Sequence, residues 1–321
     1  MDSIPTVFAD SVTDVLLKSN RHKDQLNHMD NLWKVAAEKF QENTRVFWIY
    51  LFHNNRDEWF YLVDDKGLPQ IPFHSNFLPL DDLSWTKQKF VRFQRVSITS
   101  IGRSDAAIWI SKADLVERVI PFIARNFPWE SSFLTILDVP DREVRRAIFR
   151  NFTSSQVLNI AFNGRESVEF VRKYIASRKR SHIAFMGSWP EYPIIEAIEF
   201  PRRVKIELKP SFTVFIRNET QMQNVSYRQE FIPNLTLEMC KAALRKFEGR
   251  RGRDSISIIG KHDYEVEELR KLLPDAAVCE SRIVGDEWVL FGQGFPGSQK
   301  MLQFEYSFSS KNTFITTVHT P

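Results

Sequence analysis

Apolar runs with the length and composition of β-strands recur at a nearly constant interval through the middle of the chain, with helix-like runs between them. The equivalent positions are Ile108, Leu134, Leu158, Ile183 and Ile206, at intervals of 26, 24, 25 and 23 residues. Ile256 follows 50 residues after Ile206, which leaves room for one irregular unit. A period of this size predicts strand–helix repeats, stacked so that a parallel sheet lies on one side and a layer of helices on the other.

The segments between these strands carry helix signals as well as apolar residues at helical spacing. Ser111 and Asp114 predict a capped helix start, and Pro121 is expected to kink that helix. Pro140 and Asp141 are placed to begin the next helix, because an acidic residue is favourable at the positive end of the helix dipole. The apolar helix positions predicted for these and the later helices are Leu115, Val119, Ile123, Val144, Ile148, Phe152, Val168, Val171, Ile175, Ile194, Ile195, Ile198, Cys240, Ala243, Leu244, Phe247, Val266, Leu269 and Leu273.

Antiparallel β segments are predicted on either side of the repeats. Residues 46–52 and 59–63 are rich in aromatic and β-branched residues and flank an Asn- and Asp-containing turn, so they predict a hairpin. Residues 90–101 predict a further strand. Strict alternation over 302–308 predicts a strand with one buried face, paired with 287–291. Residues 212–230 lack a helix pattern and are expected to form a loop or a pair of strands.

The first 42 residues carry two apolar stripes at helical spacing and predict a small helical unit. The first stripe comprises Phe8, Val12, Val15 and Leu16, and the second Leu26, Met29, Trp33 and Phe40. The predicted fold class is therefore α/β: a small N-terminal helical unit over 1–42, then irregular, leucine-rich-repeat-like strand–helix repeats flanked by antiparallel β segments over 43–321.

The positive charge of the chain is concentrated in one region. The whole sequence has a formal net charge of +4, but residues 165–253 contain 18 Lys or Arg against 10 Glu and no Asp. That excess could attract an acidic partner. Its other interpretation is the ordinary placement of basic side chains in loops and at helix C-termini.

The sequence supplies no recognisable catalytic or metal-binding pattern. The seven His residues show no metal-ligand spacing, and the two Cys, Cys240 and Cys279, form no CxxC pair. Nucleotide-binding loops and the serine-hydrolase elbow are also missing. We therefore expect a non-enzymatic protein with no cofactor and no metal. The cysteine usage, the acidic N-terminus and the lack of an apolar run of about 18 residues predict a cytoplasmic or nuclear protein that does not span a membrane.

Two basic clusters are the sharpest candidates for binding a polyanion. The clusters are Arg178, Lys179 and Arg180, and Arg250, Arg251 and Arg253. Clustered cations bind nucleic-acid phosphates through counterion release. Both clusters also fall at predicted helix C-termini, where cations offset the helix dipole without any partner. A basic module for nucleic acid or another polyanion is therefore kept as the alternative function.

The opening of the chain, Met1-Asp-Ser-Ile-Pro, together with its first stripe and Leu26, Leu32 and Trp33, resembles a degenerate F-box. The layout that follows, with Arg92-Phe93-Gln94-Arg95-Val96 and strand–helix repeats behind it, looks like the divergent F-box-like proteins expanded in nematodes. That resemblance implies a substrate-recognition subunit of a cullin-RING ubiquitin ligase, whose partners are the ligase adaptor and an unknown target protein. Carried over by residue, Ile4, Pro5, Val12 and Leu16 match the adaptor-docking face, and Trp33 matches the helix that packs behind it.

Residues 18–25 depart from the F-box pattern, because they are polar where the family has an apolar turn. The alternative interpretation of the same stripes is a helical cap that shields the first strands of the repeat domain. In the repeats, the strand residues that point away from the helices are expected to form an exposed face that binds the target. Thr135, Asn159, Ala184 and Lys205 are predicted on that face, with Asn159 and Lys205 as the partner-binding residues.

Overall fold

The computed structural model describes residues 32–54, 58–65, 91–100, 107–128, 132–153, 155–177, 180–201, 203–209, 211–217, 222–228, 234–249, 256–273, 276–283, 286–294, 300–308 and 310–319. The contacts divide the chain into two compact units, 1–156 with 215–225, and 157–214 with 226–321. We call them the first and the second unit.

In the first unit, the described residues form three helices and five strands. The helices are α1 (Leu32–Asn43), α2 (Lys112–Asp114, continued by a π-helical turn, Leu115–Val119, and by Ile120–Arg125) and α3 (Arg142–Asn151). The strands are β1 (Arg45–His53), β2 (Trp59–Asp65), β3 (Val91–Thr99), β4 (Ile108–Ile110) and β5 (Phe133–Ile136). Their order is β5-β3-β1-β2-β4; β1, β3 and β5 run parallel, whereas β2 and β4 add antiparallel.

In the second unit, the described residues form four helices and a mixed sheet. The helices are α4 (Arg165–Ala176), α5 (Glu191–Glu199), α6 (Leu237–Gly249) and α7 (Val266–Leu272). The sheet strands are β6 (Val157–Ala161), β7 (Arg180–Met186), β8 (Arg203–Lys209), β11 (Ile256–Lys261), β12 (Ala277–Ile283), β13 (Asp286–Gly294), β14 (Lys300–Ser307) and β15 (Asn312–His319). Strand β9 (Ser211–Arg217) pairs separately with β10 (Met222–Arg228), and residues 215–225 of this pair belong to the first unit.

The strand order in this sheet is β6-β7-β8-β11-β15-β14-β13-β12. The first four strands run parallel, and from β15 onward each neighbour is antiparallel. Leu158, Ile183 and Ile206 lie side by side in the register, which confirms the predicted repeat across β6, β7 and β8. The partner of Ile206 on β11 is Ile258 rather than the predicted Ile256, which pairs with Val204. The β9–β10 pair and α6 occupy the long interval before β11.

The strand–helix alternation and the flanking antiparallel strands confirm the predicted α/β fold class. The hairpin formed by β1 and β2, the strand β3 and the β13–β14 pair are where the sequence predicted them. The prediction for Ile108 is wrong: β4 is an edge strand antiparallel to β2, and it is β3 that precedes β5 in the parallel series. An apolar run of three residues fits an antiparallel edge position as well as a position in the parallel series. The composition of residues 108–110 therefore does not determine which strand they pair with. The helices predicted before Leu32 lie outside the described residues.

The helix starts follow from local sequence. The side chain of Ser111 accepts a hydrogen bond from the Asp114 N–H, and the Asp141 side chain caps α3 by accepting from the N–H groups of Glu143 and Val144. The sequence predicts a kink at Pro121. The structure has a π-helical turn directly before this proline, in which the Ile120 N–H bonds to the Leu115 carbonyl five residues back. Proline has no N–H and its ring crowds the preceding turn, so the wider turn accommodates it.

Candidate functional site

Strand β8 has one apolar and one charged face. Its sequence, Arg-Val-Lys-Ile-Glu-Leu-Lys, alternates strictly, and Val204, Ile206 and Leu208 are buried. The charged side chains between them point to the opposite face, because successive strand residues alternate in direction. Helices α4 and α5 contact β7 and β8. Since Arg203 is exposed, the helices cover the apolar face. We call the opposite face of β8, β11, β15 and β14 the open face.

Glu207 lies at the centre of a cluster of cationic side chains on the open face. Its Oε1 is 2.8 Å from His182 Nε2 and 2.7 Å from Lys205 Nζ, and its Oε2 is 2.7 Å from Lys209 Nζ. Since an ionised carboxylate only accepts hydrogen bonds, His182 Nε2 carries the proton in this contact. We call these four residues the Glu207 cluster.

The electrostatics of the Glu207 cluster favour an ionised carboxylate. The hydrogen bonds from His182, Lys205 and Lys209 hold the pKa of Glu207 well below its usual value, although burial alone would raise it. The Glu207 side chain is 14% exposed, whereas those of Lys205 and Lys209 are 44% and 38% exposed. The ammonium groups therefore remain accessible to a ligand while the carboxylate lies beneath them.

The cluster continues sideways along the sheet. Arg203 is exposed on the same face of β8, and Lys261 is exposed two residues beyond Ile259, on the same face of β11. Ile259 pairs with Glu207 on one side and with Phe314 on the other, so an apolar pair lies directly beside the charged group. The open face thus combines clustered cations with half-buried apolar side chains.

Of the four residues that the sequence predicted on an exposed strand face, one is accessible and three are buried. Lys205 is accessible and belongs to the Glu207 cluster. The expectation of exposure is wrong for Thr135, Asn159 and Ala184, which are 1%, 5% and 0% exposed. Asn159 lies on β6, where every residue is buried. Burial on both faces is typical of strands in parallel sheets, so a partner cannot reach Asn159 on a free surface.

The other predicted binding residues have little or no described geometry. Ile4, Pro5, Val12 and Leu16, and likewise Arg178, Lys179, Arg250, Arg251 and Arg253, lie outside the described residues. Arg180 begins β7 beside Arg203, but only its backbone is described. Sequence reasoning missed Glu207, Lys209 and Arg203, although the alternation of β8 places them on the face of Lys205. His182 could be found only through the register between β7 and β8.

A second group of polar residues lies buried where α6, β11 and β15 meet. Tyr264 Oη donates to Thr313 Oγ1 at 3.1 Å and is 3.3 Å from Cys240 Sγ, and Thr313 Oγ1 is 3.0 Å from His262 Nδ1. Tyr306 stacks on His262 with 4.1 Å between ring centroids, and its hydroxyl donates to the Tyr264 carbonyl. We call these five residues the buried polar chain.

The chemistry of the buried polar chain is that of a structural network. Burial raises the pKa of the Cys240 thiol to about 12 and also raises the pKa of Tyr264, while it lowers the pKa of His262. Each group is therefore neutral near pH 7. A protonated thiol is a poor nucleophile, and Cys240 lies in the core, as its place on the helix stripe predicted.

Among the described residues, His, Cys, Asp and Glu do not group in threes that could hold a metal ion. In the same part of the chain, no helix is long and apolar enough to cross a membrane. Comparison with protein-family models, with curated proteins and with solved structures finds no match to this chain.

Proposed function

We propose that this chain is a non-enzymatic protein-interaction protein that binds a target protein on the open face of the second unit. The observation that carries this proposal is the contrast between the two faces of the sheet. Helices seal one face, whereas the other presents accessible Lys205 and Lys209 beside half-buried Ile259 and Phe314. Accessible charge next to apolar surface is the composition of a protein-binding patch, in which apolar contacts supply affinity and charges supply orientation.

More specifically, we propose that the protein is a substrate-recognition subunit of a cullin-RING ubiquitin ligase. Support comes from the resemblance of residues 1–42 to a degenerate F-box, with Ile4, Pro5, Val12 and Leu16 on the adaptor-docking face. In this arrangement the N-terminal residues bind the ligase adaptor and the open face binds the target. The two activities then depend on different residues and can be tested separately.

The test is capture of the full chain by purified ligase adaptor. We expect the wild-type protein to bind and the double variant Ile4→Asp with Leu16→Asp to lose binding, because buried carboxylates disrupt an apolar docking face. Asn20→Asp, in the polar stretch after the first stripe, is the matched control and should bind normally. If the wild-type chain is not captured where an authentic F-box protein is, residues 1–42 do not dock the adaptor, and a helical cap explains their apolar stripes.

The second candidate function is binding of nucleic acid or another polyanion. It is favoured by the accessible cations Arg203, Lys205, Lys209 and Lys261 on one face, in addition to the sequence clusters at 178–180 and 250–253. Phosphate contacts release counterions, so affinity for a single-stranded oligonucleotide should fall steeply between low and physiological salt. The triple variant Arg250→Ala, Arg251→Ala, Arg253→Ala should weaken that binding. Salt-insensitive binding, or an unaffected triple variant, rules out the phosphate contact assigned to that cluster.

A further inference from the structure

The Glu207 cluster contains a carboxylate held by three cationic or hydrogen-bond-donating side chains, yet the cations around it remain partly exposed. Lys205 and Lys209 each reach Glu207 at 2.7 Å from opposite sides along β8. Neither lysine is enclosed by protein, so each retains donors that point to solvent. The carboxylate of Glu207 therefore occupies the place where an incoming carboxylate would bind.

We infer that the open face binds an acidic, apolar-containing segment of the target protein in extended form, and that Glu207 acts as an internal competitor for its carboxylates. This inference rests on the proposed function and adds the chemistry of the target. The partner's acidic side chains would contact Lys205, Lys209 and Arg203, while apolar side chains of the same segment would lie on Ile259 and Phe314.

Spacing supports an extended segment as the occupant. Arg203, Lys205 and Lys209 lie on one face of one strand. The first two positions are roughly 7 Å apart and the last two roughly 13 Å apart, with Glu207 between them. An extended peptide with acidic residues at every second position repeats its carboxylates at the same distance. Carboxylates of such a peptide can therefore meet Arg203, Lys205 and Lys209, whereas the position between the two lysines is occupied by the carboxylate of Glu207.

The apolar neighbours favour a protein segment over a nucleic acid. Ile259 and Phe314 are paired across β11 and β15 and are half-buried, and Val318 and Met301, paired across β15 and β14, are also half-buried on the same face. Ile259, Val318 and Met301 offer a phosphate backbone no favourable contact, whereas they complement the apolar side chains of a peptide.

The experiment measures fluorescence anisotropy of a labelled peptide, Gly-Asp-Leu-Glu-Leu-Glu-Val-Asp-Gly, titrated with the full chain. We expect the double variant Lys205→Glu, Lys209→Glu to bind at least about 10-fold more weakly, since charge reversal opposes the partner. Glu207→Gln should bind about 3- to 10-fold more tightly, because the neutral amide no longer competes for the ammonium groups. The matched control, Lys173→Glu with Lys271→Glu on the exposed helix surface of the same unit, should bind like the wild type.

Several outcomes would overturn the inference. They are absence of peptide binding to the wild type, equal affinity in the Lys205→Glu, Lys209→Glu variant, weaker binding in Glu207→Gln, or tighter binding of an oligo-dT strand than of the peptide. Thermal unfolding by circular dichroism verifies that each variant is folded. Adaptor capture is measured on the same proteins: captured wild type without peptide binding refutes the inference alone, whereas peptide binding without capture refutes the ligase role alone.

Discussion

His262 ends a directional series of hydrogen bonds. Tyr264 donates to Thr313, so the Thr313 hydroxyl proton is free to point toward His262 Nδ1, which accepts it only in a neutral ring. Burial, which lowers the pKa of His262, favours that same neutral form. Protonating His262 would therefore place a charge in the core and reverse the polarity of its bond with Thr313.

His262 should make the free energy of unfolding decrease as the pH is lowered. The pKa of His262 in the folded chain lies below its ordinary value of 6.5, so the unfolded chain binds a proton first as the pH falls. The folded state is then destabilised progressively from pH 6.5 down to the folded pKa. Replacing His262 by Gln should remove this contribution, so the variant should lose less stability than the wild type between pH 8 and pH 5.

The measurement is urea unfolding of both proteins at the two pH values. Comparing each protein with itself at pH 8 separates the titration from the packing cost of the substitution. Equal losses in wild type and His262→Gln would show that His262 binds its proton equally well in both states.

At the scale of single elements, the sequence pattern predicted the features that depend on alternating residues and on helix caps. The seven-residue alternation of β8, the caps of α2 and α3 and the apolar stripes of the helices all depend on residues close in sequence. The place of β4 in the sheet depends instead on its pairing with β2, a strand that is distant from it in the sequence. Likewise the contact between His182 and Glu207, separated by 25 residues, required the register of β7 and β8. Local pattern therefore identified the strand that carries the site but only one of its four cluster residues.

The junction between β8 and β11 sets a tight steric requirement. A Cβ atom added at Gly260 would lie 2.9 Å from Leu208 Cδ1 and 3.0 Å from its Cβ. Leu208 is buried, so it has little room to move away. We expect Gly260→Ala to destabilise the protein by about 1–3 kcal/mol through overpacking.

Thermal or urea unfolding would reveal that loss as a lower midpoint. Gly294→Ala is the matched control, because a Cβ at this exposed strand position meets no atom within 4 Å. An unchanged midpoint in Gly260→Ala would mean that β11 and β8 separate easily and that their packing is not close.

On the scale of the whole molecule, charge is distributed unevenly along the sequence. Residues 165–253 carry 18 Lys or Arg against 10 Glu, and many of these are satisfied locally. On the helix layer, for example, Arg172 bonds both oxygens of Glu196, and Arg245 pairs with Glu199. The sequence total therefore overstates the charge available to a partner. Within the described residues, the accessible basic side chains that lie together on one face of a single strand are Arg203, Lys205 and Lys209, around Glu207.

Strand β15 lies between β11 and β14, although it follows both in the sequence. During synthesis on a ribosome, β11 and β14 would each wait with an unpaired edge until residues 312–319 emerge from the exit tunnel. Unpaired edges recruit strands from other chains. Completion of this sheet is therefore tied to the synthesis of residues 312–319, and a message cut shortly before codon 312 would yield a chain in which β11 and β14 each keep an unpaired edge. Such a chain would be a substrate for chaperones and proteases rather than a shortened working protein.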